Sequence, residues 1–226
     1  MTLRFSYPYA TAFCLLLFLC GELHELVHTS VGRLLCECWG SRDFNVWSLC
    51  ESCKISDQLS TIATFAGPMF SFGLIWLGWL LLKKNDKKGI KSLGFSLIFA
   101  NLPFARIYTA AYGAGDEVSA LYTLSSNYKF SWILGLLIVV GLSIIPLVAA
   151  FKAIKNKNRI GIFVLFLIGP MIISLIVVLG LMNTLLSNGL LNKTWVLGSP
   201  LLVTLWTILL IISFLGYAKH LKNLPK

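Results

Sequence analysis

Two histidines, His24 and His28, stand four residues apart in the sequence, and a glutamate, Glu25, follows the first of them. On an α-helix this spacing puts the two imidazoles on one face, about 40° apart in azimuth and about 6 Å apart along the axis. Both rings can then bind one metal ion, and the glutamate can act on a metal-bound water. The pattern therefore predicts a metal centre with His24 and His28 as ligands and Glu25 as the catalytic base.

These residues lie near the end of an apolar segment, 9–30, that is long enough to cross a bilayer as a helix. Ionisable side chains are costly to insert into a membrane helix, and where they occur they usually mark a functional site. The alternative is a polar network that only holds helices together, or a group at the wet interface with no chemical role. The apolar context favours the functional interpretation of His24, Glu25 and His28.

A tetrahedral catalytic zinc site needs a third protein ligand and an open position for water. Asp116 and Glu117 follow Gly113-Ala114-Gly115 at the end of a later apolar segment, 92–112. This end should lie on the same side of the membrane as the two histidines. We predict Asp116 as the third ligand, with Glu117 as the alternative; the other interpretation of this pair is an ordinary loop acid or helix cap. The remaining acids outside the first span lie in less suitable loops: Asp86 on the opposite face of the membrane, and Glu37, Asp43, Glu51 and Asp57 in a cysteine-containing loop.

The composition indicates an integral membrane protein of the all-α class. Of the 226 residues, 57% are hydrophobic and only 12% are charged, and the mean hydropathy is +0.81. A soluble chain of this length needs more polar surface. We predict one membrane domain, 1–226, that forms a polytopic helical bundle of about six spans. The predicted spans are 9–30, 62–82, 92–112, 130–151, 160–186 and 195–216, with a kink or tilt at Gly169-Pro170. The third span is expected to be shortened or bent at Asn101-Leu102-Pro103.

The basic residues are concentrated in alternate loops. Thirteen of the 19 Lys and Arg residues are Arg4 or belong to three segments, 83–91, 152–159 and 219–226. The positive-inside rule places such loops in the cytoplasm, so both termini are predicted cytoplasmic and the metal site is predicted toward the extracytoplasmic side. The formal net charge of +10 has the same explanation. No basic patch interleaved with aromatic residues indicates nucleic-acid binding.

Four cysteines lie in the first extracytoplasmic loop, 31–60, as a C-x-C pair followed by a C-x-x-C pair. In an oxidising compartment they predict two disulfides, whose pairing does not follow from the spacing. The alternative is a structural zinc site, because both spacings also suit thiolate ligation. The predicted topology favours disulfides. The four residues are Cys36, Cys38, Cys50 and Cys53.

The order of these motifs resembles the site-2-protease family of intramembrane zinc metalloproteases. The resemblance covers about residues 20–117, which is roughly half of the chain. The family usually has a glycine after its aspartate ligand, where this chain has Glu117. The residues that carry the resemblance are His24, Glu25 and His28 in the first span, Ala66-Gly67-Pro68 opening the second, and Asn101, Pro103 and Asp116 in or after the third.

The resemblance implies an intramembrane zinc metalloendopeptidase, which hydrolyses peptide bonds of membrane-anchored or membrane-proximal protein substrates in the lipid bilayer. The alternative is a non-catalytic membrane protein that retains the pocket in order to bind a metal or a partner. By the resemblance, His24, His28 and Asp116 would bind Zn²⁺, Glu25 would be the general base, and Asn101 would help to position the substrate.

One arginine, Arg106, lies inside the third predicted span. A charged side chain at this depth needs a partner or must reach the interface. We expect Arg106 either to pair with Glu22 or Glu117 near the metal site, or to extend its side chain to the membrane surface.

Overall fold

The computed structural model describes residues 1–84 and 87–223, and this part of the chain is almost entirely helical. Two predictions concern residues outside this described part: Asp86 on the opposite face of the membrane, and the end of the basic tail, 224–226, in the cytoplasm. The elements, in chain order, are α1 (Tyr7–Cys36), α2 (Asp57–Lys84), α3 (Lys88–Ala100), α4 (Pro103–Ala111), α5 (Asp116–Ser125), α6 (Tyr128–Ala153), α7 (Arg159–Ser174), a π-helical segment (Leu175–Met182), α8 (Asn183–Ser187), β1 (Thr194–Val196), β2 (Ser199–Pro200), α9 (Leu201–Tyr217) and a 3₁₀ segment (Ala218–Asn223).

Five helical stretches in the described part of the chain are long and apolar enough to cross a membrane. Each of them overlaps a predicted span, which agrees with a multi-pass, all-α membrane architecture. The third predicted span, 92–112, is not among them. The five stretches are Tyr7–Cys36, Asp57–Lys84, Tyr128–Ala153, Arg159–Ser187 and Leu201–Lys222.

The third predicted span consists of two short helices, α3 and α4, which are separated at Asn101 and Leu102. The break has a local cause, because Pro103 has no N–H to donate and disfavours helical backbone at the preceding residue. Leu102 takes a left-handed conformation with φ of 53°, which also lies outside the right-handed helical region. With 13 and 9 residues, neither helix is long enough to cross a bilayer alone. The third predicted span is therefore interrupted, and the break lies at Asn101-Leu102-Pro103, where the sequence predicts the span to be shortened or bent.

The helices around the first loop extend beyond the apolar spans that predicted them. α1 continues to Cys36, where Glu37 adopts a left-handed φ of 61° and ends the helix. α2 begins at Asp57, so the cysteine loop is 37–56, shorter than the predicted 31–60. Hydropathy detects only the apolar part of a helix, whereas polar turns at its ends can also be helical. Ala66-Gly67-Pro68 therefore lies inside α2 and does not open it.

A β-hairpin stands where the sixth span was predicted to begin. β1 and β2 are antiparallel, and Val196 pairs with Ser199 across a two-residue turn. Leu197 and Gly198 have φ of 55° and 72°, the two positive values of a type I′ turn, whose twist matches that of the strands. The last long helix consequently begins at Leu201 and not at residue 195.

The fifth predicted span contains a π-helical segment. α7 continues through Pro170 to Ser174, and the irregular geometry begins at Leu175. Short π-helical stretches are rare and are frequently found at functional sites. Val178, in this segment, lines a cavity that His24 and Glu25 also line.

The helices that carry the candidate site pack tightly against each other. α2 and α3 approach at Gly78 and Gly94, where a Cβ on Gly78 would lie 2.6 Å from the carbonyl oxygen of Gly94. Small residues let membrane helices approach closely. This contact holds α3, and with it the break at Asn101, against the helix that borders the histidines.

The four loop cysteines form two nested disulfides, Cys36–Cys53 and Cys38–Cys50. This agrees with the disulfide interpretation and not with a structural zinc site. The bridges tie the loop to the end of α1 and leave its middle, 39–49, between the inner pair of cysteines.

Candidate metal centre

Three ionisable side chains from two helices meet at one point. His24 and His28 extend from α1, and Asp116 is the first residue of α5. The Nε2 atoms of the two histidines lie 3.1 Å apart. The Oδ2 atom of Asp116 lies 3.2 Å from Nε2 of His24 and 3.4 Å from Nε2 of His28. Among the residues that the structure describes, this is the one group of three such side chains arranged to hold a metal ion.

The three atoms form a nearly equilateral triangle. In tetrahedral coordination with zinc–ligand bonds of about 2.0–2.1 Å, neighbouring ligand atoms lie about 3.3–3.4 Å apart. The triangle therefore has nearly the size of one face of such a tetrahedron, and the fourth vertex is left for a non-protein ligand. Two imidazole nitrogens and one carboxylate oxygen are donors that zinc accepts. Binding of a metal by these residues stays a prediction.

Both histidine rings are oriented by polar groups on α2. Nδ1 of His28 donates a hydrogen bond to the carbonyl oxygen of Ala63 at 2.7 Å, which leaves Nε2 with the lone pair. Nδ1 of His24 lies 3.0 Å from Oγ of Ser71, and the tautomer of the ring decides which of the two donates; a metal at Nε2 would require Nδ1 to be the donor. A metal-binding histidine usually has such a partner on its other nitrogen, which sets the tautomer and the ring orientation.

Gly67 lies between these two orienting groups, directly against the rings. A Cβ at this position would lie 2.6 Å from Cε1 of His24 and from Cδ2 of His28, and closer still to Nε2 of His28. Ala63, Gly67 and Ser71 follow one another at intervals of four, so they share a face of α2. That spacing is a signal by which the sequence could have revealed this face.

Glu25 lies beside the triangle with a free carboxylate oxygen. The residue is buried, and its Oε2 atom has no hydrogen-bond partner in the structure. Buried carboxylate oxygens are normally paired, because an unpaired one costs free energy. An orphaned oxygen at this place is suited to accept a proton from a molecule that enters the site.

Two cavities meet at Glu25. A mostly apolar one of about 210 Å³ extends along α1 as far as Leu17 and reaches Trp206 on α9. A more polar one of about 350 Å³ lies next to Asp116 and the cysteine loop. The residues that line both are Glu25, Asn45, Arg106 and Thr109. The site thus borders both an apolar cleft among the helices and a polar cavity.

Arg106 pairs with Glu117, as one of the sequence-based alternatives expected. Nη1 of Arg106 lies 3.2 Å from Oε1 of Glu117, and both side chains are largely buried. Nη2 of the same guanidinium donates to Oγ of Ser71 at 3.0 Å and lies 3.0 Å from Nδ1 of His24, to which it can only donate. In this arrangement Nδ1 of His24 is an acceptor, so binding of a metal at Nε2 requires the guanidinium to move away from Nδ1. Glu117, the alternative third ligand, is thus held by the arginine and is not a member of the triangle.

Glu22, the other expected partner of Arg106, instead pairs with an arginine of the cysteine loop. Nη1 of Arg42 lies 3.2 Å from Oε2 of Glu22, and both side chains are 4% exposed. The same nitrogen donates to the backbone oxygen of Glu22 at 3.0 Å, and Nε donates to Oγ of Ser199 at 2.9 Å. This arginine connects α1, the loop and the hairpin before α9.

Asn101 is buried at the break between α3 and α4 and lines the apolar cavity. Its Nδ2 donates to the carbonyl oxygen of Leu97 at 2.8 Å, and its Oδ1 has no partner. The side chain therefore borders the cleft with one free polar atom. Its predicted role in substrate positioning stays a prediction.

Trp47 covers one side of the site. The sequence did not indicate that this tryptophan contacts His28. Its ring stacks on the ring of His28, with the centroids 4.7 Å apart and the planes inclined by 8°. Trp47 lies in the middle of the cysteine loop, inside both disulfides, and no periodicity marks a loop residue of this kind.

Comparison of the chain with protein-family models, with curated proteins and with solved structures found no match.

Proposed function

We propose that this protein is an intramembrane zinc endopeptidase, which cleaves membrane-anchored or membrane-proximal protein substrates. The observation that carries the proposal is the triangle of His24, His28 and Asp116 beside the unpaired carboxylate oxygen of Glu25. A metal-binding triangle with an adjacent free carboxylate is the minimal equipment of a hydrolytic zinc site.

The donor set suits zinc better than the hard divalent ions. Calcium and magnesium prefer six or more oxygen ligands, whereas the site offers two nitrogens and one oxygen. When bound, zinc lowers the pKa of its water to roughly 7 and polarises the scissile carbonyl. Its protein ligands would be His24, His28 and Asp116.

Glu25 has the role of general base and then of general acid. Its free Oε2 accepts a proton from the attacking water and delivers it to the leaving amine. Arg106 borders the same cavities, and its Nε has no hydrogen-bond partner. This N–H and the guanidinium charge favour the negative charge that develops on the carbonyl oxygen.

The surroundings also suit a peptide from a membrane protein. A helical peptide bond is shielded by its own hydrogen bonds, so the substrate must be extended at the site. The break at Asn101 and Leu102 leaves backbone groups outside a helical ladder, and such groups can pair with an extended strand. The apolar cavity can accept non-polar side chains, and the polar cavity can admit water.

The test measures metal content and peptidase activity of the full chain purified in detergent. The probe is a quenched fluorescent peptide library with apolar residues around the cleaved bond. We expect about one zinc per chain, cleavage that a chelator abolishes, and a loss of roughly 10²–10⁴-fold in Glu25→Gln with zinc retained. Glu51→Gln, which changes an exposed glutamate of the cysteine loop, is the matched control and should cleave normally.

Two results would count against the proposal. Full activity in zinc-free protein would exclude the metal mechanism. Stoichiometric zinc without cleavage of any library member, in wild type as in Glu25→Gln, would favour the alternative of a non-catalytic binding protein. The free carboxylate of Glu25 supports the enzyme, because a site that only binds metal does not need a base.

A further inference from the structure

A cavity of about 600 Å³ opens at the end of the bundle opposite to the metal centre. It lies between the end of α2, the start of α3, the end of α6 and the first residue of the chain. None of its lining residues belongs to the site described above. The lining residues fall into a basic group and an apolar group: Lys83, Lys91, Lys152 and Lys155 with Met1 at one side, and Trp79, Leu82, Ile144, Ile145, Val148, Ala149 and Ala153 at the other.

The four lysines of this cavity come from four separate segments of the chain. Lys83 is the penultimate residue of α2, Lys91 is in the first turn of α3, Lys152 is near the end of α6, and Lys155 lies in the loop after it. Eight of the nine acidic residues of the chain fall at positions 22–57 or 116–117, and the ninth, Asp86, lies outside the described residues. Among the residues that the structure describes, no acidic side chain lines the cavity.

The positive charge at the cavity also acts on the first residue. Burial, followed by the charges of Lys155, Lys91 and Lys88, lowers the pKa of the Met1 amino group. The first residue is held in place by the loop after α6, because the backbone N–H of Lys155 donates to the carbonyl oxygen of Met1 at 3.0 Å. This hydrogen bond connects the first residue to the loop that carries Lys155 on the basic side of the cavity.

The other side of the cavity is apolar and partly exposed. Ile144, Ile145 and Val148 lie on α6 and are between 44% and 52% exposed. Trp79, on α2, carries Nζ of Lys83 at 5.0 Å from its ring centroid, so the charge lies next to the apolar wall. α2 and α6 are both long enough to span a bilayer. A ligand that fills both sides needs an anionic head and an apolar chain.

We propose that this cavity binds one anionic phospholipid, with its phosphate among Lys83, Lys91, Lys152 and Lys155 and an acyl chain along Ile144, Ile145 and Val148. Charge complementarity identifies the head group, since basic pockets between membrane helices bind the head groups of anionic lipids. The apolar wall distinguishes a lipid from a free phosphate ion, which would leave the wall without a partner. The site does not depend on the proposed protease activity.

The experiment measures lipid binding to the full chain in detergent, by native mass spectrometry and by the thermal shift that each lipid causes. The probes are phosphatidylglycerol, phosphatidylcholine and inorganic phosphate. We expect one tightly retained phosphatidylglycerol and a saturable thermal shift, with little effect of the other two. The variant with Lys83, Lys91, Lys152 and Lys155 changed to Gln should bind at least about tenfold more weakly.

A matched control removes the same charge from the same end of the bundle. Lys84, Lys87, Lys157 and Lys219 are exposed, line no part of the cavity, and are changed to Gln together. The control should bind phosphatidylglycerol as wild type does. An equal loss in both variants would mean general attraction to anionic surfaces and would overturn the site.

A second variant tests the apolar wall without changing charge. Val148→Trp fills the cavity beside α6, so it should weaken phosphatidylglycerol binding while the protein keeps its unliganded melting temperature. Unchanged binding in this variant, or an equal thermal shift from inorganic phosphate, would exclude an acyl chain in the cavity. Equal retention of phosphatidylcholine would exclude selection by the lysines.

Discussion

Gly67 lies where α2 passes the two histidines, and no larger residue fits there without a shift. The first atom of any side chain would overlap the imidazoles of His24 and His28. In Gly67→Ala we expect the rings to be displaced, zinc affinity to fall by more than about tenfold, and stability to fall by about 1–3 kcal/mol. Isothermal titration with zinc and thermal unfolding in detergent measure the two effects.

Gly73→Ala is the matched control on the same helix, because a Cβ at Gly73 meets nothing within 4 Å. It should bind zinc as wild type does and should be no less stable, since alanine favours helix more than glycine. Equal zinc affinity in both variants would show that the rings are not fixed by the close approach of α2.

Asp116 and Glu117 are adjacent acids with different partners. Asp116 faces the two imidazoles, whereas Glu117 pairs with Arg106. Asp116→Ala should therefore lower zinc affinity by more than roughly 100-fold, because loss of a partner that only orients a ligand costs at most roughly 100-fold. Glu117→Gln should lower zinc affinity by less than roughly tenfold. Zinc titration of both variants measures this difference, and the reverse order would make Glu117 the ligand.

At the scale of elements, the cysteine loop is tied to the helices by two disulfides and by Arg42. This arginine and Glu22 are both buried, and removing one partner of such a pair leaves an uncompensated charge. We expect Arg42→Met to lower the free energy of unfolding by about 3–5 kcal/mol. Thermal unfolding in detergent gives the direction of this change.

The double variant Glu22→Leu/Arg42→Met removes both charges and should recover most of the loss, because buried ion pairs are often replaceable by apolar residues. The hydroxyl of Thr207 lies within hydrogen-bond distance of both Glu22 and the carbonyl oxygen of Val203. It can therefore still donate to Val203 when Glu22 is replaced. Lys54→Met, at an exposed position of the same loop, should have little effect. No recovery in the double variant would mean that Arg42 acts through its other contacts.

The same loop places Trp47 on His28, which provides a spectroscopic test of the proposed metal site. A paramagnetic ion such as Co²⁺ bound at Nε2 of His28 should quench the nearest indole most strongly. Trp47→Phe should therefore remove most of the metal-dependent quenching of tryptophan fluorescence. Trp39→Phe, in the same loop, is the control and should keep it. Equal quenching in wild type and Trp47→Phe would place the ion elsewhere.

At the scale of the whole molecule, the distribution of charge predicts the orientation in the membrane. The basic loops should face the cytoplasm, so Lys157→Cys should react with a membrane-impermeant maleimide only after the membrane is opened. Asn188→Cys, in an exposed position at the other end of the bundle, should react in intact cells. The wild-type chain is labelled in the same way as a control, because it has two free cysteines of its own, Cys14 and Cys20 in α1. The opposite labelling pattern would invert the predicted topology.

Local pattern was enough to predict several features of this protein. The apolar stretches indicated an all-α membrane bundle, the four-residue spacing of His24 and His28 put both rings on one face, and Pro103 marked the break in the third span. Each of these depends on residues that are close together in the chain, so periodicity and local sterics determine it.

Features that depend on residues distant in the chain were settled only by tertiary structure. The sequence left Asp116 and Glu117 as alternatives, and left the disulfide pairing open; it did not indicate Trp47 on His28 or the pairing of Glu22 with Arg42. The packing of α5 against α2 and α6 decides which acid faces the histidines. Hydropathy and spacing describe one segment at a time, whereas these contacts depend on how separate helices and a folded loop meet.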